Sequence, residues 1–584
     1  MLAKSPHWYT ELDAIVYLRS VLPQDRFRQA VGIGILANVT LAGIAAAQAT
    51  SRGTVAERRV AVVALSAPVR DSLRAAIRRL VDSAALTSLT VGISVNGRTV
   101  WTEGFGYADL AGRVPATPDT RYSLASISKP MTATAIMRLV EQGRLRLDAP
   151  ANLYLRGSKV TSLAGNADSA TVARLLSHTA GLPLHYRFYY MGENGQGGDG
   201  LPDVSATINR YALVVYPPGT VYSYSNLGYG ILGEIVAAAS GLSYEAYMRD
   251  QVFAPLGMTQ TTIGTGAGLA NSARRYDATA RAIPPYDFDH RGASAVYSTA
   301  NDMLRFAEFH LGTRRAAAGH FLADSTVRRM QQIATPHPTP PATPPAATSS
   351  TTPATTPATI PVTILATTPA GYGLGWSIDD DNGVQRVRHT GGMPGVNTVL
   401  ALYPDAGVAV VALANQSSPL PGRVASDLAA AVMPAYAKVR TARRAAADSA
   451  RRREAAALAV VPAAFTAPAE VRGTWRGTVK LYDRSIPIVL FVGESDVRAK
   501  VGEQPGLWTL VNDATYQNSL LGGRFLGTIP TDDAGRAPHV IAMSLRLHDG
   551  TLRGWLAAQV TARTNNFSLS SYADLRKDPP AVAP

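Results

Sequence analysis

Apolar and polar residues alternate with helical spacing in one part of the chain that begins near Pro130. Apolar side chains recur at roughly helical period over residues 131–140, and Gly143 follows as a stop signal. Because proline is tolerated in a first helical turn, the pattern predicts a helix that begins close to Ser126. Residues three apart on a helix are neighbours, so the Lys129 amine is expected to reach the Ser126 hydroxyl.

A second helical run, residues 231–239, ends at Gly241 and follows a polar segment that contains Tyr224 and Asn226. Side chains two residues apart on a non-helical backbone can face the same side, so a phenol and an amide can act together here. The same pattern is also typical of a buried tyrosine beside a helix cap, and it recurs at residues 516–518.

Strand-like runs flank a third polar segment, which consists of His389, Thr390, Gly391 and Gly392. Two glycines at a strand edge let a substrate backbone approach closely and leave an N–H free to donate. The segment is therefore predicted to form one wall of an acyl-transfer site. A similar segment, residues 178–181, follows an apolar helix, and we interpret it as a helix exit with a structural histidine.

Near residue 466 the pattern changes to short strands separated by turns. Residues 545–555 have the form of a hairpin with an Asp549-Gly550 turn. We therefore predict an all-β domain over residues 466–584, a small barrel, after a mixed α and β domain over residues 71–435.

Two segments differ in composition from these domains. Residues 335–370 are rich in Thr, Pro and Ala, which cannot build a core, so they are expected to form an extended or disordered insertion. A lid, a cell-wall tether and a tolerated surface insertion are all compatible with this composition. Residues 436–461 combine alanines with clustered arginines and predict a basic helix within a linker that ends at residue 465.

The N-terminal segment has the features of an export signal. Arg26 and Arg28 precede an apolar stretch, residues 30–47, and a small-x-small cleavage pattern follows. Residues 1–49 are therefore predicted to be a signal peptide or an uncleaved anchor, and residues 50–70 a linker. A periplasmic or secreted protein is expected, and membrane contact is expected only if the anchor is retained.

Composition excludes several classes of chemistry. The chain has no cysteine, which excludes disulfides, thiol catalysis and thiolate metal sites. The net charge of +14 comes from dispersed arginines without a nucleic-acid motif, so no nucleic-acid partner is expected. The acidic run at residues 379–381 lacks the downstream glutamate of a calcium loop and is interpreted as a hairpin turn. Neither a metal nor a cofactor is expected.

The order of the three polar segments, S-x-x-K, Y-S-N and H-T-G, resembles the class C β-lactamase family, also called the penicillin-binding-protein-like or DD-peptidase serine hydrolases. The resemblance extends over about residues 73–433 and includes framework segments such as residues 117–123 and 292–303. It implies an α+β fold with an antiparallel sheet flanked by helices, a helical subdomain and the active site in the cleft between them. Residues 473–477 resemble, more faintly, the start of the lipocalin-like domains that follow some relatives.

The same resemblance implies roles for individual residues. Ser126 would attack the substrate carbonyl, while Lys129 and Tyr224 share its proton and return it to the leaving group. Asn226 would hold the acyl-side amide. His389, Thr390 and Gly391 would also contact the substrate, and the backbone N–H groups of Ser126 and Gly392 would form the oxyanion hole.

Position 389 departs from the β-lactamase pattern, because true β-lactamases usually carry lysine there. Histidine can be neutral at pH 7 and therefore binds a substrate carboxylate less strongly than lysine does, so we expect inefficient β-lactam hydrolysis. The expected activity is hydrolysis of a small peptide, amide or ester through an acyl-enzyme, as in DD-carboxypeptidases and D-aminopeptidases, and fragments of the cell wall are one candidate source of the substrate. An esterase or weak β-lactamase remains open, as does a penicillin-binding or wall-fragment-binding protein without turnover.

Overall fold

The computed structural model describes residues 60–83, 85–191, 203–314, 321–336, 370–456, 465–502, 508–562 and 565–579. The predicted signal or anchor segment, residues 1–49, and most of the predicted insertion lie outside the described residues.

The strands of the N-terminal part are, in chain order, β1 Ser88–Val95, β2 Arg98–Asp109, β3 Val114–Pro115, β4 Tyr122–Ser123, β5 Thr161–Ser162, β6 Tyr186–Tyr190, β7 Leu213–Val214, β8 Thr262–Ile263, β9 Tyr286–Phe288, β10 Val296–Ser298, β11 Thr335–Pro336, β12 Gly371–Tyr372, β13 Ser377–Asp381, β14 Val384–Met393, β15 Val396–Tyr403 and β16 Val408–Ala414. The C-terminal part contains β17 Gly473–Lys480, β18 Ser485–Val492, β19 Val497–Val501, β20 Thr509–Leu510, β21 Asn512–Gln517, β22 Leu520–Gly527, β23 His539–His548, β24 Thr551–Ala562 and β25 Asn565–Lys577.

The α-helices are α1 Ala67–Asp82, α2 Ser128–Glu141, α3 Val172–Leu176, α4 Val204–Tyr211, α5 Asn226–Ser240, α6 Tyr244–Tyr247, α7 Arg291–Ser294, α8 Ala300–His310, α9 Asp324–Met330, α10 Leu420–Val432 and α11 Pro434–Ala456. Short 3₁₀ turns occur at Ala125–Ile127, Ala151–Leu153, Ala167–Ser169 and Pro404–Ala406, and a π-helical turn at Met248–Phe253.

The central sheet of the N-terminal part is covered by helices on both faces. Its described strands pair in the order β11-β12-β13-β14-β15-β16-β1-β2-β3, all antiparallel. All seven residues of β16 are buried, as expected for a strand with both faces covered. Val410 packs in the core formed with α1 and α10, whereas Val411 packs in the core formed with α2 and α8.

The flanks of the Thr/Pro/Ala insertion lie side by side. Thr335 of β11 pairs with Tyr372 of β12, and Pro336 pairs with Gly371. The two flanks of the insertion are therefore neighbours at the edge of the sheet. Because the entropy cost of closing a loop grows only slowly with its length, a long insertion between them costs little stability.

The C-terminal strands form a nearly closed, barrel-like antiparallel sheet in the order β20-β19-β18-β17-β25-β24-β23-β22-β21. The predicted hairpin is confirmed, because His548 pairs with Thr551 and both turn residues, Asp549 and Gly550, have positive φ. The predicted architecture, an α+β region followed by a small all-β domain, is confirmed.

Several other segments can be compared with their predictions. Helix α1 begins at Ala67, inside the predicted linker, because Pro68 starts the helix and Ile77 on its inner face is buried against the sheet. Helix α11 occupies most of the predicted basic linker. The acidic run ends β13, and the turn of the β13–β14 hairpin consists of the next two residues, Asn382 and Gly383. The Asp379 carboxylate pairs with Arg386 and Arg388.

Within the described ranges, no group of three or more His, Cys, Asp or Glu side chains is arranged to hold a metal ion. In the same part of the chain, no helix has the length and apolar character needed to cross a bilayer.

Candidate active site

Ser126 lies on a tight turn that leads into α2. The 3₁₀ turn Ala125–Ile127 precedes the helix, and Ala125 is held at φ 48°, a left-handed conformation that is uncommon for a residue with a side chain. Strand β14 packs directly against this turn, because a Cβ at Gly391 would lie 2.0 Å from the Leu124 carbonyl oxygen. The turn and the strand therefore fix the position of Ser126 together.

Lys129, the second residue of α2, is completely buried. Its Nζ lies 3.0 Å from Ser126 Oγ, 2.8 Å from Asn226 Oδ1 and 3.3 Å from the Ala293 carbonyl oxygen. Burial lowers the pKa of Lys129 well below its usual value, since a charged amine is costly to desolvate. In the described part of the chain, no carboxylate pairs with this amine.

Tyr224 and Asn226 reach the same amine from the start of α5. Ser225 caps the helix by accepting a hydrogen bond from the Gly228 N–H, and Gly241 ends it at φ 74° as predicted. Lys129 Nζ lies 4.8 Å from the centre of the Tyr224 ring. The Tyr224 phenol is hydrogen bonded to Ser126, and burial raises its pKa.

His389 is buried, and both of its ring nitrogens have protein partners. Nδ1 donates to the Thr390 carbonyl oxygen at 2.8 Å, which leaves Nε2 to accept from the Tyr372 hydroxyl at 2.9 Å. Burial, followed by the charge of Lys129, lowers the pKa of His389 to about 3. The imidazole is therefore neutral near pH 7 and has no N–H left for a substrate carboxylate.

The other residues of the H-T-G segment alternate in direction along β14. Thr390 and Gly392 are exposed, whereas Gly391 is buried against Leu124. A Cβ at Gly392 would meet nothing within 4 Å. Thr390 and Gly392 thus face the open side of the strand. Gly391 packs against the 3₁₀ turn Ala125–Ile127, which we call the nucleophile turn because it carries Ser126, the predicted nucleophile.

Five of the predicted site residues line a cavity of about 380 Å³, whereas Lys129, Asn226 and Gly391 are not part of its lining. The residues that line it are Ser126, Tyr222, Tyr224, Tyr372, Ser377, Arg388, His389, Thr390 and Gly392. The Arg388 guanidinium is already engaged, because its Nη2 lies 3.0 Å from Asp379 Oδ2. A serine, a buried amine and a phenol beside an open strand edge can carry out nucleophilic attack with proton transfer.

Sequence reasoning missed four of these lining residues: Tyr222, Tyr372, Ser377 and Arg388. Two of them had a local signal, because Arg388 lies next to the H-T-G segment and Tyr222 lies two residues before Tyr224. Tyr372 reaches the site through a contact between strands, β12 to β14, that no local pattern encodes.

His178, which we interpreted as a structural histidine, lies directly beneath the site. It follows α3, is buried, and its Nδ1 accepts the backbone N–H of Ser225 at 3.1 Å. Its ring lies 4.3 Å from that of Tyr224. His178 therefore supports the segment that carries Tyr224 and Asn226.

Comparison with known proteins identifies the family of the chain. The family model described as Beta-lactamase matches residues 73–433, which is more than half of the chain. The chain belongs to the β-lactamase family. This family lies within the serine hydrolase superfamily that also contains penicillin-binding proteins.

Individual relatives cover different shares of this β-lactamase-family chain. Penicillin-binding protein 4 of Amycolatopsis lactamdurans is 31% identical over 320 residues, covering 52% of this chain and 74% of that protein. Unguisins hydrolase ungD' of Aspergillus campestris is 28% identical over 362 residues, covering 60% of this chain. The match spans 62% of the Aspergillus protein, less than two thirds of its length.

Among solved structures, an octameric penicillin-binding protein homologue from Pyrococcus abyssi has a TM-score of 0.49 at 20% identity, covering 87% of this chain and 100% of that chain.

The two neighbouring glycines of the H-T-G segment provide a matched test of how β14 packs on the nucleophile turn. We expect Gly391→Ala to destabilise the protein by about 1–3 kcal/mol, because its Cβ would overlap the Leu124 oxygen. Gly392→Ala should leave stability nearly unchanged, since open space surrounds the new Cβ. Thermal unfolding of both variants measures the difference, and equal unfolding temperatures would contradict this packing.

Proposed function

We propose that this protein hydrolyses a small peptide, amide or ester through an acyl-enzyme on Ser126, in the manner of DD-carboxypeptidases and D-aminopeptidases. The observation that carries the proposal is the buried Lys129 amine, 3.0 Å from the Ser126 hydroxyl with a lowered pKa. The names of two relatives, a hydrolase and a penicillin-binding protein, support an acyl-transfer site.

Lys129 is the base that activates Ser126. Two of its three neighbours, Asn226 Oδ1 and the Ala293 carbonyl oxygen, can only accept hydrogen bonds. A neutral amine has two N–H groups and one lone pair, so it donates both N–H groups to these oxygens. Its lone pair then points to the Ser126 hydroxyl, which loses its proton as it attacks the substrate carbonyl.

Tyr224 acts as a proton donor in the next step. Its raised pKa keeps the phenol protonated near neutral pH, so it is poorly suited to be the first base. Placed against Ser126, it passes a proton to the leaving group and recovers one from the Lys129 ammonium. In the second half of the reaction, water attacks the acyl-enzyme carbonyl, and Lys129 and Tyr224 take up the proton of the water and return one to the Ser126 oxygen.

The substrate carbonyl lies between β14 and the nucleophile turn. Its oxyanion is held by the backbone N–H groups of Ser126 and Gly392, each of which contributes about 3 kcal/mol in sites of this kind. Asn226 holds the acyl-side amide through its amide nitrogen, since Oδ1 is used by Lys129. Thr390 contacts the leaving-group side from the exposed face of β14.

One observation favours an esterase as the second candidate. His389 is neutral and Arg388 is paired with Asp379, so the described lining offers no free cation for a substrate carboxylate. Neutral esters and amides avoid the cost of an uncompensated anion in this cavity. For the same reason we expect β-lactams, which carry a carboxylate, to be poor substrates.

The proposal also includes export from the cytoplasm, as predicted from residues 1–49.

Ser126→Ala tests the nucleophile. We expect intact-mass spectrometry to show a covalent adduct on the wild type after mixing with an activated acyl ester or a penicillin, and none on Ser126→Ala. Ser377→Ala, which removes another hydroxyl from the same cavity, should still form the adduct. An adduct on Ser126→Ala, or turnover by it, would show that another residue attacks.

Tyr224→Phe tests the proton donor. The change removes the hydroxyl and keeps the ring that packs on His178, so we expect acylation to slow by about 10²–10⁴-fold while substrate binding remains. Tyr222→Phe, at a neighbouring phenol of the cavity, should have a much smaller effect. Stopped-flow acylation rates measure both, and an unchanged rate in Tyr224→Phe would remove this residue from the mechanism.

The pH dependence of acylation tests the state of Lys129. Only the neutral amine accepts the Ser126 proton, so kcat/KM should rise with pH through the lowered pKa of Lys129 and level off well below pH 10.5. The pKa of buried His290 and that of His389 are also lowered, so both stay neutral over this range. A limb centred near the ordinary lysine pKa would contradict the assignment, as would an active Lys129→Arg variant, whose guanidinium stays charged.

A further inference from the structure

The C-terminal barrel is joined to the catalytic region by shared β-structure. Phe567 and Ser568 of β25 pair with Arg187 and Tyr186 of β6, and β6 pairs in turn with β9. Beyond the paired residues, Ser570 Oγ donates to a backbone carbonyl oxygen of the catalytic region at 2.7 Å. The barrel therefore continues into the sheet structure of the N-terminal part.

The carboxylate of Asp533, in the barrel, contacts three side chains of the catalytic region. Asp533 lies in the loop between β22 and β23, and its side chain is only 10% exposed. Its Oδ2 accepts the Tyr211 hydroxyl at 2.6 Å and lies 3.2 Å from Arg210, while Oδ1 pairs with Arg187. Burial, together with the negative charge of Asp533, raises the pKa of Tyr211.

One path leads from this contact to Tyr224. Beyond Tyr211, at the end of α4, the Tyr216 hydroxyl donates to the barrel carbonyl of Ser544 at 2.9 Å. The same chain segment continues to Ser223, whose N–H donates to the His178 carbonyl oxygen at 2.8 Å. His178 Nδ1 also accepts the Ser225 N–H. The two residues that flank Tyr224, Ser223 and Ser225, are therefore both hydrogen bonded to His178.

A second path leads to Lys129. The Tyr211 ring stacks on the fully buried His185 at 4.3 Å, and His185 Nε2 lies 2.9 Å from Asp289 Oδ2. The other oxygen of Asp289 lies 2.6 Å from His290 Nδ1. Helix α7 follows directly and provides the Ala293 carbonyl oxygen that contacts Lys129.

We propose that Asp533 is a positioning residue through which the C-terminal barrel sets the geometry of Tyr224 and Lys129. The barrel is thus a required part of the catalytic scaffold and not an independent binding module. This inference rests on the proposed function for its kinetic consequence, but the structural coupling does not depend on turnover.

The physical reason is the cost of leaving buried polar groups without a partner. In Asp533→Asn the negative charge and one of the two acceptor oxygens are lost, so the largely buried Arg187 and the buried Tyr211 hydroxyl compete for the oxygen that remains. The β6 and α4 segments then shift to recover hydrogen bonds, and both segments are continuous with the residues that hold Tyr224. A displacement near 1 Å in a catalytic group can lower a rate by about 10²-fold.

The test compares Asp533→Asn with Asp533→Glu and with the matched control Asp532→Ala. Asp532 is the exposed neighbour in the same loop, and its backbone N–H donates to the Tyr482 hydroxyl at 3.2 Å. We expect Asp533→Asn to lower the acylation rate constant by roughly tenfold or more with little change in KM. Asp533→Glu should recover part of the rate, and Asp532→Ala should behave as the wild type.

Hydrogen exchange on the same proteins gives a readout that needs no activity. In Asp533→Asn we expect faster exchange at residues 221–226, where Tyr224 lies, as well as at residues 184–190. If the wild type forms no acyl adduct, the proposed function fails, and exchange at residues 221–226 still decides the coupling. If Asp533→Asn does not fold, Tyr211→Phe, which removes one hydrogen bond, is measured in its place.

Two results would overturn the inference. The first is a folded Asp533→Asn variant that acylates at the wild-type rate. The second is a change in hydrogen exchange that stops at residues 184–190 and leaves residues 221–226 as in the wild type.

Discussion

The buried amine of Lys129 is the constraint on which the rest of the catalytic region depends. An amine in a fully buried position is stable only if oxygen atoms surround it, and here the three oxygens come from Ser126, Asn226 and Ala293. These atoms belong to the nucleophile turn, the start of α5 and helix α7. Three elements that are distant in sequence must therefore converge on one atom.

The same desolvation gives the site its chemical character. Burial lowers the pKa of Lys129 and of His389, and it raises the pKa of Tyr224 and of Tyr372. Bases and phenols are thus all shifted towards their neutral forms. An unpaired charge placed among these neutral groups would be costly, because burial penalises charged forms.

The C-terminal barrel changes how the chain divides into functional parts. Its strands pair with β6, and Asp533 holds side chains from both α4 and β6. The chain that follows α4 is hydrogen bonded to His178, which supports Tyr224, and Tyr211 of α4 stacks on His185, whose partner Asp289 leads to helix α7 and Ala293. Packing of the barrel and geometry of the site are therefore parts of one arrangement, although the linker helix α11 separates the two regions in sequence.

The sequence by itself determined the local elements and their chemistry. Helical spacing placed Lys129 one turn from Ser126, Gly241 ended α5, and the Asp549-Gly550 pair formed its hairpin turn, because each of these depends on neighbours within a few residues. Only the tertiary structure decided that His389 is bound to Tyr372, that His178 supports Tyr224, and that Asp533 reaches Tyr211. Those contacts join residues that are tens to hundreds of positions apart, and their burial and charge exist only once the whole chain has packed.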